Sequence, residues 1–301
     1  MRISTAFTQT QSVNSIVDQQ ARLNETQLQL SSGKQVLKPS DNPAAAAQIV
    51  NLNHSIDTTK QYQDNIAVAQ GNLGLQATTL QSANDAVQRL RELATQALND
   101  SNNANDRKAI ANEVDQLNSQ LIGLANTRNA SGDYLFSGFL TSTPAFASTG
   151  NASAPFYSYN GDSNQRLVQI GESRFITDSD PGSNVFGPSS AGGTDSLFDV
   201  VKSFSDDLKA NTPKTSILDQ LSSALDKISN VQSSNGARLN ALDRQQTANA
   251  DYLLSTQTVL SNTQDLDYAQ AISKYNLQTT TLQAAQQAFT KVQQLSLFSF
   301  L

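Results

Sequence analysis

The chain carries one histidine, His54. A serine–histidine or cysteine–histidine couple therefore has a single possible base. His54 stands in "NLNHSID", two residues after Leu52 in a helical pattern, so the two side chains point largely apart. A solvated imidazole on a helix surface is expected. "SSGKQ" (Ser31 to Gln35) contains the Gly-Lys pair of a phosphate loop. It lacks the first glycine of G-x-x-x-x-G-K-[ST] and a preceding strand, so a glycine that ends a helix is expected instead. "TDSDPGS" sets Asp178 and Asp180 two residues apart, a possible start for Ca²⁺ ligation. It has neither the ligand spacing nor the closing glutamate of a calcium loop, and a turn is expected. Tyr134, Phe136, Phe139, Phe156, Tyr157 and Tyr159 could stack on sugars or bases. Too few basic residues lie near them for nucleic-acid binding, which leaves a small β core. The chain has no cysteine, which removes thiolate chemistry and disulfides. "NET" and "NAS" match the glycosylation acceptor pattern, as expected by chance in a chain rich in Asn and Ser. No constellation supports catalysis, so the expectation is no enzyme, no cofactor and no metal.

The composition points to elements of a particular kind. Only 38% of the 301 residues are hydrophobic, 6% are aromatic, and there is no Trp. One thick core is not expected from that supply; helices sharing a narrow seam fit better. Pro (7) and Gly (14) are scarce, which permits long helices. The net charge of −6 argues against nucleic acid or an anionic membrane as partner. No run approaches the roughly 20 apolar residues of a membrane helix. The start "MRISTAFTQTQSVNSIVDQQ" lacks the apolar stretch of a secretory signal, so a cleavable signal is not expected.

The strongest pattern is a repeat of seven. Leu52, Thr59, Ile66, Leu73, Leu80, Val87 and Ala94 form one stripe, and Tyr62, Ala69, Gln76, Ala83, Leu90 and Ala97 form a second. This is a coiled-coil-like seam diluted by small and amide residues. Asp41 or Asn42 can cap the helix and Pro43 suits its first turn. From Pro43 to Leu98 it would run roughly 80 Å at ~1.5 Å per residue. "NDSNNAND" is a turn, and Ile110, Val114, Leu117, Leu121 and Leu124 mark a third helix, with Gly132 as its expected C-terminal cap. Residues 133–195 hold short β-prone runs split by turn residues, read as a small β domain self-contained enough for a Gly/Ser linker to replace residues 145–190. Helix returns from Leu197, continues from Ile217 to Leu260, breaks at Asp265 and Asp267, and ends with Tyr268, Tyr275, Leu282 and Phe289 seven apart.

The first helix has two apolar stripes, Ile16, Leu23 and Leu30, then Val17, Ala21 and Leu28. One stripe suffices for a helix at a monomer surface. Two stripes, and an apolar end "LSLFSFL", imply more than one neighbour. Either the two chain ends pair and then meet copies or partner subunits, or both fold back onto the rod of the same chain. The fold class is therefore mainly α: an elongated antiparallel helical coiled-coil rod formed by both chain ends, with a small inserted β domain.

The start, from "MRISTAFTQTQ" through "SSGKQVLKPSDNPAAAAQI", resembles the N-terminal region of bacterial flagellins, and the end "QDLDYAQAISKYNLQTTTLQAAQQAFTKVQQLSLFSFL" resembles their C-terminal region. Within that family, "MRIST", "SSGK" with "PSDNPAAA", "GDYLFSG", "YNGDSNQRLVQIG" and the terminal "LSLFSFL" are most similar to the subunits at the junction of hook and filament. Asn42 departs from the second acid more usual there, and Ser299 and Phe300 from an acid and Tyr. The resemblance implies terminal helices, 1–42 and 265–301, that line an inner tube and are disordered in the monomer. It implies a helical rod of 43–132 and 196–264, and an outward-facing β domain of 133–195. It implies a structural adaptor, exported unfolded by the flagellar type III apparatus and working outside the cell. Its partners would be another hook-associated protein on the hook side, flagellin on the filament side, copies of itself in a ring, and a cytoplasmic chaperone on the C-terminal helix. Nucleic acid and membrane are not among them. Ile16, Leu23, Leu30, Tyr275, Leu282, Phe289, Val292, Leu297 and Phe298 are the expected subunit and chaperone contacts. A filament flagellin, or a flagellin-like surface adhesin, is the alternative.

Overall fold

Scarce glycine and proline leave long stretches free to run as helix. The computed structural model describes residues 5–151, 155–187 and 196–298, apart from the side chains of 5, 6 and 293–298. In chain order the elements are α1 (Thr5–Ser32), α2 (Pro43–Ala97), α3 (Ala104–Ala125), β1 (Phe146–Ser148), β2 (Tyr157–Tyr159), β3 (Leu167–Gly171), β4 (Arg174–Thr177), α4 (Gly182–Phe186), α5 (Leu197–Lys209), α6 (Ser216–Gln264) and α7 (Tyr268–Phe298). Among the described residues, no helix is long and apolar enough to cross a membrane. They form two compact units, residues 1–58 with 251–301, and residues 59–250; the division falls inside α2 and inside α6.

The expected start of α2 is observed. Asn42 accepts from the Ala45 amide at 3.1 Å, and Pro43, which has no N–H to leave unpaired, takes the first turn. Asp41, the other candidate cap, faces backward and accepts from the Leu37 and Lys38 amides. Asn103 opens α3 through a capping box with Asp106. That helix ends earlier than its glycine signal suggests. Ala125 is its last residue and Asn126 its cap. The Asn126 side chain then bonds both the amide and the carbonyl of Phe146, so the chain is captured by β1 before Gly132 is reached. Gly132 serves a turn instead, at φ +87°.

In the unit of 59–250, the seven-residue stripes become the seam of α2. Thr59, Ile66, Leu73, Leu80, Val87 and Ala94 are buried, as are Ala69, Gln76, Ala83, Leu90 and Ala97. Each fully buried leucine or isoleucine contributes about 1.5–3 kcal/mol. The C-terminal part of the stripe joins α3, α5 and the start of α6 in one cluster, through Ile110, Val114, Leu121, Val201, Phe204, Leu208, Leu221 and Ile228. Ile66, Ala69 and Leu73 pack in a second cluster with Leu242 of α6.

The strands form two hairpins, β1 with β2 and β3 with β4, both antiparallel. Phe146 pairs with Tyr159, and Val168 with Ile176. They do not bury a core of their own. Phe146, Val185 and Phe186 sit in the helical cluster, with Phe146 and Phe198 of α5 stacked edge-to-face at 4.7 Å. Ile170 and Ile176 sit with α2 and α6. Two-stranded hairpins have too little apolar surface to stand alone, and here the helices supply the rest. Burial pushes the Tyr159 phenol up to about 12, so it remains a donor, to the Phe136 and Asp162 carbonyls.

Charged side chains complete the docking. Asp178, fully buried, takes Arg166 and the Asn72 amide of α2, and Asp180 takes Gln165, the Gln76 amide of α2 and Arg238 of α6. Hydrogen bonding to Asp178 holds the Arg166 guanidinium above its usual range, against the pull of burial. On the opposite edge Asp199 receives the Phe156 and Tyr157 amides and the Ser196 hydroxyl, tying β2 to the start of α5.

Removing Arg238 strands the Asp180 carboxylate in this interior, so Arg238→Ala is expected to cost about 3 kcal/mol, read as a lowered denaturant midpoint. Arg89→Ala, which breaks an exposed pair with Glu92 and Glu113, leaves the midpoint essentially where it was. Replacing residues 145–190 by a Gly/Ser linker removes Phe146, Ile170, Ile176, Phe186, Asp178 and Asp180 together. The expected result is loss of cooperative unfolding in the unit of 59–250, read by calorimetry; a transition at the wild-type temperature would show the strands to be dispensable.

Candidate functional site

In the unit of 1–58 and 251–301, α1 loses solvent at a narrow line of positions. Thr26 is buried, and Ile16, Gln19, Leu23 and Leu30 are half-buried. They recur at alternating steps of three and four, the spacing of a coiled-coil seam. α7 shows the same line: Ala271, Gln278 and Leu282 are buried, with Tyr275, Ala285 and Phe289 half-buried. The two helices pack together. They run antiparallel, because the chain leaves α1 and enters α7 at the same place. There Gln35 N–H donates to the Gln264 carbonyl and Leu266 N–H to the Gly33 carbonyl, both at 2.9 Å. Gly33 ends α1, as its sequence context predicts, at φ +68°.

This seam is thin. Only some of its positions are large and apolar; Gln19, Thr26 and Gln278 are polar, Ala271 and Ala285 small. The Gln278 Oε1 atom is buried with no hydrogen-bond partner. Such a polar position weakens a helix pair while fixing its register.

The structure thus places Ile16, Leu23 and Leu30 on the face of α1 turned to α7, and Tyr275, Leu282 and Phe289 on the face of α7 turned back. Six of the nine expected contact residues are brought together within one chain. Val292 is not: it is 64% exposed. Leu297 and Phe298 belong to the last turn of α7, and their side chains lie outside the described residues, as do residues 299–301 of the apolar end. The second stripe of α1 remains in solvent, Val17 at 58% and Leu28 at 55%, with Phe7 and Val13 beside it. On α7 the exposed set is Tyr268, Ile272, Leu277 and Val292. Leu277 and Ile272 escaped the sequence reading. The signal for Leu277 is present, since Leu277, Thr281, Ala284, Ala288 and Val292 recur at steps of three and four; Ile272 lies off that line.

Several of the residues that raised chemical possibilities are engaged elsewhere, and others are exposed. His54 is exposed on α2. Asp178 and Asp180 are bound to arginine and amide donors as described above. Phe136 is in the aromatic core against Phe186, Tyr134 lies under the Arg128 guanidinium, and Phe139 is exposed. What the unit of 1–58 and 251–301 offers is an apolar surface on a two-helix platform. Twelve of the seventeen exposed large apolar side chains among the described residues belong to it, although it is the smaller unit.

The family described as bacterial flagellin N-terminal helical region matches residues 3–141. The flagellar hook-associated protein 3 of Escherichia coli strain K12 is 29% identical over 319 residues, covering 99% of this chain and 99% of that protein. A crystal structure of flagellar hook-associated protein 3 from Legionella pneumophila shares the fold with a TM-score of 0.63 at 23% identity, over 71% of this chain and 98% of that one. A flagellin from Clostridium tyrobutyricum is 35% identical over 101 residues, only 33% of this chain and 26% of that protein.

The two faces of α7 are expected to respond differently to charge. Leu282→Asp buries an unpaired carboxylate in the α1–α7 seam and should strip helix from both, read as lost far-UV ellipticity. Leu277→Asp, at a position 68% exposed, should leave the spectrum unchanged.

Proposed function

We propose that this chain, which belongs to the bacterial flagellin family, is the structural subunit that joins hook to filament in the bacterial flagellum. One observation carries the choice within the family: the likeness to hook-associated protein 3 covers 99% of the chain, whereas the likeness to a flagellin covers only 33% of it. A junction subunit needs surfaces for copies of itself and for two different neighbours rather than a catalytic pocket, and the exposed apolar side chains of α1 and α7 supply such a surface.

In this reading residues 1–42 and 265–301 form the innermost layer of the assembled tube, 43–132 and 196–264 the layer around it, and 133–195 the outward part. Ile16, Leu23, Leu30, Tyr275, Leu282 and Phe289 hold the two chain ends to each other. Val17, Leu28, Leu277 and Val292, with Leu297 and Phe298 at the end, meet neighbouring copies in a ring, a second hook-associated protein on the hook side and flagellin on the filament side. Before assembly the C-terminal helix is held by a cytoplasmic chaperone, and the chain crosses the flagellar export apparatus unfolded to work outside the cell. No catalytic role is assigned to it.

Deleting the gene should leave hooks intact while flagellin is shed unpolymerised into the medium. Restoring the gene as Val17→Asp with Leu277→Asp should yield a folded, exported subunit that anchors no filament, scored by electron microscopy of hooks and by motility. Wild-type motility from that double variant would overturn the assignment of the outward stripes. Growth of the purified chain into long filaments would make it a filament flagellin instead.

A further inference from the structure

We propose that the Asn160–Gly161 step is a modification site, at which the folded chain loses the Asn160 side-chain amide spontaneously through a cyclic imide. The inference stands on local geometry and does not rest on the assignment to the flagellum. The chain holds two Asn-Gly steps, Asn160–Gly161 and Asn235–Gly236. The amide nitrogen of a glycine is the least shielded nucleophile that a backbone offers, because no Cβ stands beside it. The fold treats the two steps in opposite ways.

Asn235 is fully buried, and its Nδ2 donates to the Leu73 carbonyl at 2.9 Å. Gly236 lies inside α6, where its amide belongs to the helical ladder. Asn160 is exposed, just beyond the end of β2. Its own N–H is held by the Ala145 carbonyl at 2.8 Å, whereas the Gly161 N–H has no acceptor among the described residues. The Ser158 hydroxyl donates to Asn160 Oδ1 at 3.0 Å, closer than its other partner, the Ala147 carbonyl at 3.4 Å. A donor on Oδ1 draws electron density from Cγ and stabilises the oxyanion that forms when Cγ is attacked. The surroundings also hold position 161 to glycine. A Cβ there would stand 2.6 Å from the Tyr159 ring and 2.9 Å from the Ser137 Cα.

Base from solvent takes the Gly161 amide proton, the nitrogen adds to Asn160 Cγ, and the Cγ–Nδ2 bond breaks with ammonia as the leaving group. Water then opens the imide at either carbonyl, to aspartate or to isoaspartate. The sum is water in and ammonia out, with no redox change. Each product adds one negative charge, and the isoaspartyl form also adds one backbone carbon. That carbon falls between two anchored amides, Asn160 N–H on the Ala145 carbonyl and Asp162 N–H on the Ser137 carbonyl. Asp162 also accepts from the Phe139 and Asn164 amides. The modification therefore lengthens the tie between β2 and the loop of 137–141.

Ageing the full-length protein in heavy-oxygen water, at neutral and at mildly alkaline pH, tests the idea. Peptide mass spectrometry places the incorporated oxygen, and isoaspartyl methyltransferase scores the isoaspartyl product. In the native protein Asn160 should convert at least about tenfold faster than Asn235, whose reaction waits on local unfolding. Its rate should rise with pH, because the attacking amide must first lose its proton. In denaturant the two rates should converge. Ser158→Ala should slow Asn160 about fivefold, the size of one exposed hydrogen bond, while Ser158→Thr, which keeps the hydroxyl, should hold the native rate. Native conversion of Asn160 no faster than that of Asn235 would overturn the proposal, as would a rate indifferent to pH. An unchanged rate in Ser158→Ala would overturn the part given to the hydroxyl.

Discussion

Apolar side chains are scarce in this chain, and they are buried in lines rather than in a ball. A helix can hide one stripe of a seven-residue repeat with few large residues, provided that a second helix lies along it. Thr59, Gln76 and Ala83 take seam positions beside Ile66, Leu73 and Leu80 on those terms. Everything else follows from the need for a second helix. α2 finds α6 and α3, α5 finds α3, and α1 finds α7.

Thin seams also leave polar groups inside, and the structure answers them with specific partners. Asn72 and Gln76, one turn apart on α2, meet the carboxylates of Asp178 and Asp180 that descend from the end of β4. Arg166 and Arg238 neutralise the pair. The hairpins are therefore part of how the helices of their unit are held, through the carboxylates as well as through Phe146, Ile170 and Ile176. An unpartnered buried oxygen remains at Gln278 in the α1–α7 seam, as it does at Gln76 Oε1 and Asn235 Oδ1 in the unit of 59–250. A thin pair with an exposed second stripe would suit the proposed junction subunit, whose neighbours would supply further burial.

The repeat of seven, the cap at Asn42 and Pro43, the break at Asp265 and Asp267, and the glycine end of α1 were legible in the sequence because each is a local matter. Periodicity, capping groups and left-handed backbone are fixed within one or two helical turns. The two stripes of α1 were legible for the same reason. Tertiary structure alone decided which stripe faces inward, because Ile16 and Val17 differ only in the direction of α7. It decided that Asn126 ends α3 before Gly132, because the Asn126 side chain needed Phe146 to bond. It turned Asp178 and Asp180 from a possible cation site into anchors, because their arginine partners arrive from β3's approach and from α6, 12 and 58 residues away. And it made the β segment part of a helical core, because a two-stranded hairpin cannot bury its own apolar face and the sequence does not say whose face it will borrow.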